Sequence, residues 1–371
     1  MVSRRIFLAL TAAALAGCGR KKGSGFDGYA FVANEEGNAV AVVDLMAFAV
    51  ARLIRLDAGP TQVVANPAHP AVYALTPSTG TIHEIATGTL SVRRKVQVAK
   101  TAISLRLAPD HESLWVVCRE PRRLVRVPLE QFQAGASIPL PDDAADWDLS
   151  PAGDLAAVSF GSAGTAGIVE LAHRKIRVFQ FGKQLSRIAF RSDGRQLLLG
   201  NAEERLVSIL GVPDGRIVAH LPLAVRPDNF CTGGGGGQLF VTGEGRDAVA
   251  IVYPYTAEVA ETVLAGRTPG AMAEAQSPDG AFLFVANWIS GEVTILDIDT
   301  HRVLAVGAVG QAPGFIKITP DRQYALVLNQ RSGDMAVIRI AAVAASRAKA
   351  APLFTMIPVG SKPVCADVHG A

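Results

Sequence analysis

Phe284-Val-Ala-Asn287, followed by Val293-Thr-Ile-Leu-Asp297, is an apolar tetrapeptide ending on an amide, a gap, and a second apolar run. The same unit returns along the chain. Its first four residues recur as Phe31–Asn34, Tyr73–Thr76, Trp115–Cys118, Ala157–Phe160, Leu198–Asn201, Phe240–Gly243, Phe284–Asn287 and Leu326–Asn329, at steps of 42, 42, 42, 41, 42, 44 and 42. Turn chemistry precedes most copies, as in Ala108-Pro109-Asp110, Ser277-Pro278-Asp279-Gly280 and Thr319-Pro320-Asp321. Behind each tetrapeptide lie a third stretch, such as Ala39–Leu45 or Ala248–Tyr253, and a fourth, such as Ala49–Leu56 or Lys175–Phe181. Four short strands per 42 residues, with no helical pattern between them, make one blade of a β-propeller. Eight copies predict an all-β, eight-bladed propeller of four-stranded antiparallel blades, with seven blades as the alternative.

Blade one starts near Gly28 on what is, by register, its second strand, so its innermost strand is missing from the N-terminus. Pro363–His369 aligns with Pro313–Thr319, the inner strand of the last blade, and is expected to pair with Gly28–Asn34 and close the ring without leaving a sheet edge. Ala341–Ala351 interrupts the last blade and reads as an exposed loop or short helical turn. Residues 28–371 thus form a single domain. With 49% hydrophobic and 19% charged residues, disorder and a coiled coil are excluded. No block of basic residues recurs, so nucleic acid is not an expected partner.

The N-terminus is an address. Met1-Val-Ser-Arg4-Arg5 is a charged start, Ile6–Ala16 is an apolar run too short to span a bilayer, and Leu15-Ala-Gly-Cys18 resembles the lipobox of bacterial lipoproteins. Residues 1–17 are then a signal peptide and Cys18 a lipid-modified N-terminus, followed to residue 27 by a flexible tether. Ser3-Arg4-Arg5-Ile-Phe-Leu8 also looks like the twin-arginine export motif, with an ordinary secretory signal as the other possibility. Cleavage takes Arg4 and Arg5 from the 36 basic groups and leaves 34 against 33 acidic, so the mature chain is nearly neutral. The expected location is the bacterial cell envelope, on the periplasmic or extracellular face of a membrane.

Phe-Val-Ala-Asn leading into an Asp-terminated strand, together with Ser-Pro-Asp-Gly turns, is similar to the YVTN-type β-propeller repeats of exported bacterial and archaeal proteins, relatives of the haem domain of haem-d nitrite reductases. The likeness spans 28–369 and is strongest in blades one, seven and eight. It implies a fold and an exported binding role more than a reaction.

Signatures of chemistry are sparse. Gly-x-Ser-x-Gly, the phosphate-binding Gly-x-x-x-x-Gly-Lys-Ser/Thr and His-Glu-x-x-His do not occur. Gly233–Gly237 stands where other repeats carry a turn and precedes no helix. The family resemblance implies a haem held through histidine at the propeller mouth. By register, however, His69 and His111 lie in turns between first and second strands, His173 and His301 between third and fourth, and His83 and His220 in outer strands. No cofactor is therefore expected; His69, His111 and His369 are weak metal candidates at the lower rim. Cys118, Cys231 and Cys365 fall in strands and read as small buried thiols.

The face opposite those turns receives the loops that leave each second strand and enter each next inner strand. There the register collects Asp146 and Trp147, Arg226, Asp228 and Asn229, Glu244 and Arg246, Asn287 and Trp288, and Arg331. Aromatics among convergent polar groups suit a ligand or partner site. Two functions follow as expectations: a non-catalytic, lipid-anchored module binding an envelope protein, glycan or small ligand, or an envelope enzyme, either a lactone hydrolase or a haem-bearing oxidoreductase relative.

Overall fold

Each tetrapeptide is the middle of a strand covered on both sides. In the computed structural model, which describes residues 25–278, 280–345 and 353–370, Phe31–Asn34, Phe284–Asn287 and Leu326–Asn329 have no solvent exposure. A blade is sandwiched between two others, so its second and third strands bury both faces and read as unbroken apolar runs, whereas the fourth strand, such as Ala49–Arg55, faces solvent along nearly its whole length. The chain forms eight separate four-stranded antiparallel sheets. The core is correspondingly divided into clusters between neighbouring blades, for example Ala30, Val32 and Leu45 of blade one against Tyr324, Leu326 and Met335 of blade eight.

The ring closes as the register requires. Strand Pro363–Gly370 pairs with Gly28–Asn34, matching Phe31 with Asp367 and Ala33 with Cys365. The insertion of the last blade begins as a short helical turn, Ile340–Ala345, one of the two expected forms, and it packs inward: Ile340 and Val343 are buried against blades seven and eight. No helix among the described residues is long and apolar enough to cross a membrane. Cys18, Arg4 and Arg5 lie outside the described residues.

One device repeats with the 42-residue clock, and a second recurs in blades one and eight. The turn between third and fourth strands ends on a left-handed residue at Phe48, Leu90, Phe132, Arg174, Gly215, Ala257 and His301, and in five of these seven blades the outer strand pair shifts register just beyond it. Such a bulge increases local twist and bends the fourth strand. The second device uses the tetrapeptide amide. Asn34 donates through Nδ2 to the Val359 carbonyl and Asn329 to the Val309 carbonyl, each at 2.7 Å, tying a second strand to the connection that enters its own blade. The glycine after each carbonyl lets the amide approach: a Cβ on Gly310 (φ +143°) would stand 2.4 Å from Asn329 Nδ2, and one on Gly360 (φ +129°) 2.8 Å from Asn34 Nδ2.

Candidate binding site on the open face

The eight innermost strands leave an unpaired backbone edge along the axis, and side chains from neighbouring blades cover it. Asp367 Oδ2 accepts the Ala65 N–H at 2.8 Å, Gln62 Oε1 the Leu105 N–H at 2.9 Å, Asp146 Oδ2 the Ile188 N–H at 3.1 Å and Asp148 Oδ2 the Phe190 N–H at 2.9 Å. Basic groups do the converse. Arg106 donates from Nε and Nη2 to the Trp147 carbonyl, and Arg187 Nε to that of Asp228. Each contact reaches from one blade to the next. Ion pairs join the same groups: Lys317 Nζ lies 2.7 Å from Asp367, and Arg106 3.4 Å from Asp148. Burial pushes the Asp148 carboxyl above the usual carboxylate range, against the opposing pull of Arg106 and the Phe190 N–H. The axial cavity, about 380 Å³, has this charged wall on blades three to five and an apolar wall of Phe230, Met272 and Phe315 on blades six to eight. Arg106, Arg187, Lys317, Asp148 and Asp367 were not among the residues singled out from sequence.

Above the axis, the loops of blades six and seven enclose a pocket of about 520 Å³ that brings together Arg226, Asp228, Asn229, Glu244, Arg246 and Trp288. The Arg226 guanidinium donates Nε to both Asp228 oxygens, at 2.8 and 2.9 Å, and pairs with Glu244, while Asp228 also accepts the Glu244 N–H at 3.0 Å. Four residues from two loops are thereby locked as one wall, since Arg187 fixes Asn229 from below at 3.4 Å. Arg246 is exposed and makes no side-chain hydrogen bond or ion pair among the described residues. Trp288, 36% exposed, divides this pocket from a second of about 510 Å³ lined by Arg331.

Three candidates are placed differently. Trp147 does not face the mouth: it is 2% exposed, packs with Trp115, Leu124 and Phe160 between blades three and four, and donates its indole N–H to Ser104 at 2.5 Å. Alternation along Asp146–Leu149 sends Trp147 to the opposite side of the strand from the two aspartates. Asp146 belongs to the axial edge. Asn287 is fully buried and donates to Thr294 Oγ1 at 2.9 Å, a structural contact.

The lower-rim histidines are neighbours without converging. His369 Nε2 contacts the His69 carbonyl oxygen at 3.0 Å, while His69 faces Glu112 at 3.4 Å. Among the described residues no three His, Cys, Asp or Glu side chains form a metal-binding group. The three cysteines among the described residues are free, and burial pushes their thiols up to about 11 for Cys118 and about 12 for Cys231 and Cys365.

No family model and no curated protein matches the chain. Solved structures do. Dihydro-heme d1 dehydrogenase NirN in complex with DHE superposes with a TM-score of 0.76 at 16% identity, over 92% of this chain and 75% of that one. Apo AztD from Citrobacter koseri gives 0.69 at 14%, over 92% and 98%, and hydrazine synthase from Kuenenia stuttgartiensis 0.57 at 16%, over 84% and 92%. At these identities the likeness is one of fold: this chain is a β-propeller.

Proposed function

We propose that the protein is an exported, lipid-anchored propeller that binds, without chemistry of its own, a protein segment, glycan or small ligand of the cell envelope in the open-face pocket between blades six and seven. One observation carries this reading: six of the ten open-face residues picked out by repeat register alone line a single cavity. Its wall is rigid, through Arg226, Asp228 and Glu244, while Arg246 and the Trp288 ring remain free to meet a ligand. A preformed polar wall beside an exposed aromatic lowers the ordering cost of binding.

The NirN likeness raises a second reading, a haem-bearing enzyme, and the residues present do not suit an iron held through histidine. His69, His111, His173 and His301 occupy turns of the opposite face, His369 ends the inner strand there, His83 is buried inside blade two and His220 lies in an outermost strand. A thermal-shift screen of soluble envelope sugars, muropeptides and amino acids tests the site. At least one compound should raise the melting point saturably in the wild type and fail to do so in Trp288→Ala. Absorbance and metal analysis test the absence of chemistry: a Soret band, or stoichiometric Ca²⁺ or Zn²⁺, would overturn it.

A further inference from the structure

Blade three breaks the pattern of the ring on the face opposite the open-face pocket. Its fourth strand is only Ser137–Pro139, three residues where the other blades have six or seven, and it pairs with Arg123–Val125 alone. The lower half of blade three's third strand, Arg126–Pro128, is consequently outside the outer strand ladder, and a pocket of about 500 Å³ opens between blades three and four. Small residues, Ala108, Ala136, Gly153 and Ala172, line it and leave the space open. Its floor is Trp115, 6% exposed. Arg126 stands directly opposite Trp115 on the adjacent strand and so on the same face of the sheet. Arg174 enters from the third-to-fourth turn of blade four. Both arginines are exposed, and neither makes a side-chain hydrogen bond or ion pair among the described residues. The carboxylates on the wall are already engaged in their own turns: Asp154 accepts from Ser150 at 2.7 Å, and Asp110 accepts the Glu112 N–H at 2.9 Å.

We infer that this pocket binds a phosphate group, clamped between Arg126 and Arg174, with the attached body against the wall of small residues. Two planar guanidinium forks from separate blades match the oxygens of a phosphate, which a solitary ammonium would meet only as a point charge. The site is independent of the open-face pocket. Gly28, where the described chain enters its first strand, lies at the same end of the ring. If the lipid-anchor reading holds, this face looks toward the membrane, so the phosphate has two sources, a phospholipid headgroup or a free solute.

The test is the melting point of the full-length protein, titrated at constant ionic strength with inorganic phosphate and separately with dihexanoyl phosphatidylglycerol below its micelle concentration. Saturation should raise the midpoint by about 2 °C at ten times the dissociation constant. Arg126→Ala and Arg174→Gly should each abolish the rise, whereas Trp288→Ala should leave it intact. Arg174 sits at φ +55°, where glycine is the less strained residue, so Arg174→Gly removes the cation without unfolding the blade. A response to the lipid at tenfold lower concentration than to phosphate identifies the headgroup as source; equal or weaker response identifies the solute. No rise with either probe, or an undiminished rise in both arginine variants, overturns the inference.

Discussion

Trp147 and Trp288 were expected on one face, and the structure gives them opposite roles, which makes Trp147→Ala and Trp288→Ala a matched pair. Truncating Trp147 removes a ring packed among Trp115, Leu124, Val158 and Phe160, and leaves the Ser104 hydroxyl without its indole partner. Deleting a buried aromatic costs about 3–5 kcal/mol through lost transfer energy and the cavity left behind. The orphaned hydroxyl adds roughly 1 kcal/mol. At roughly 2 cal/mol/K per residue, a ring of this size unfolds with an entropy near 0.7 kcal/mol/K, so the midpoint should fall by roughly 6–8 °C. Trp288, 36% exposed beside Gly314, should cost less than 2 °C on the same scale. Tryptophan fluorescence with acrylamide, alongside thermal unfolding, reads both without any ligand. The quenchable emission should disappear in Trp288→Ala, and a blue-shifted, unquenched component should be lost in Trp147→Ala. If Trp147→Ala melts within 2 °C of wild type, or if it is the variant that loses the quenchable signal, the inter-blade placement of Trp147 is wrong.

Deleting residues 360–371 strips Gly28–Asn34 of its inner partner and should unfold or aggregate the ring; a truncated protein melting within about 2 °C of wild type would refute closure by the C-terminal strand. Cys18→Ala should move the protein from membrane to soluble fractions with its signal uncleaved at that site, and unchanged processing and fractionation would reject the lipobox. His83, 3% exposed, is held below its ordinary value by burial, which outweighs the Asp57 carboxylate 3.2 Å away. Its neutral form is therefore the native one, so stability is complete above pH 6.5 and declines as pH falls toward the lowered value. The drop in melting point between pH 7.5 and 5 should be smaller in His83→Gln than in wild type, and an equal drop would remove His83 from the account.

The architecture was legible because burial on both faces forces the same apolar run into every blade, and a closed ring admits one length of repeat. Ring closure by Pro363–His369 was legible for the same reason. The left-handed residues were not, although they keep the 42-residue clock. Phe48, Leu90, Arg174 and Ala257 carry no glycine signal, because the packed turns around them impose the conformation that glycine would adopt freely. Trp147 was misplaced by a single step of strand alternation, which repeat register alone does not resolve at the mouth of a twisted sheet. The axial charges had a signal that went unused. Arg106, Asp148 and Lys317 each stand nine residues before a tetrapeptide, opposite its first residue, and Asp367 takes the equivalent place in blade one.

That unused signal separates charges that build the ring from charges that can bind. An inner strand has hydrogen-bonding groups on one side that no neighbour in its own blade reaches, and leaving them buried and unpaired would cost about 1–3 kcal/mol each. Asp367, Asp146, Asp148, Arg106 and Arg187 meet those groups from the next blade, so the axial wall, for all its charge, is largely engaged with its own backbone. At the open face much of the backbone is paired within loops, tied by the Asn34 and Asn329 amides or held by Asp228 and Asp247, and other side chains there are released from that duty. Arg246, Arg331 and the exposed Trp288 are among the described side chains left uncommitted around two adjoining pockets. A substitution at Arg106 should therefore register first as a weakened joint between blades three and four, one at Asp148 as a weakened joint between blades four and five, and one at Arg246 or Arg331 as altered binding on an unchanged fold.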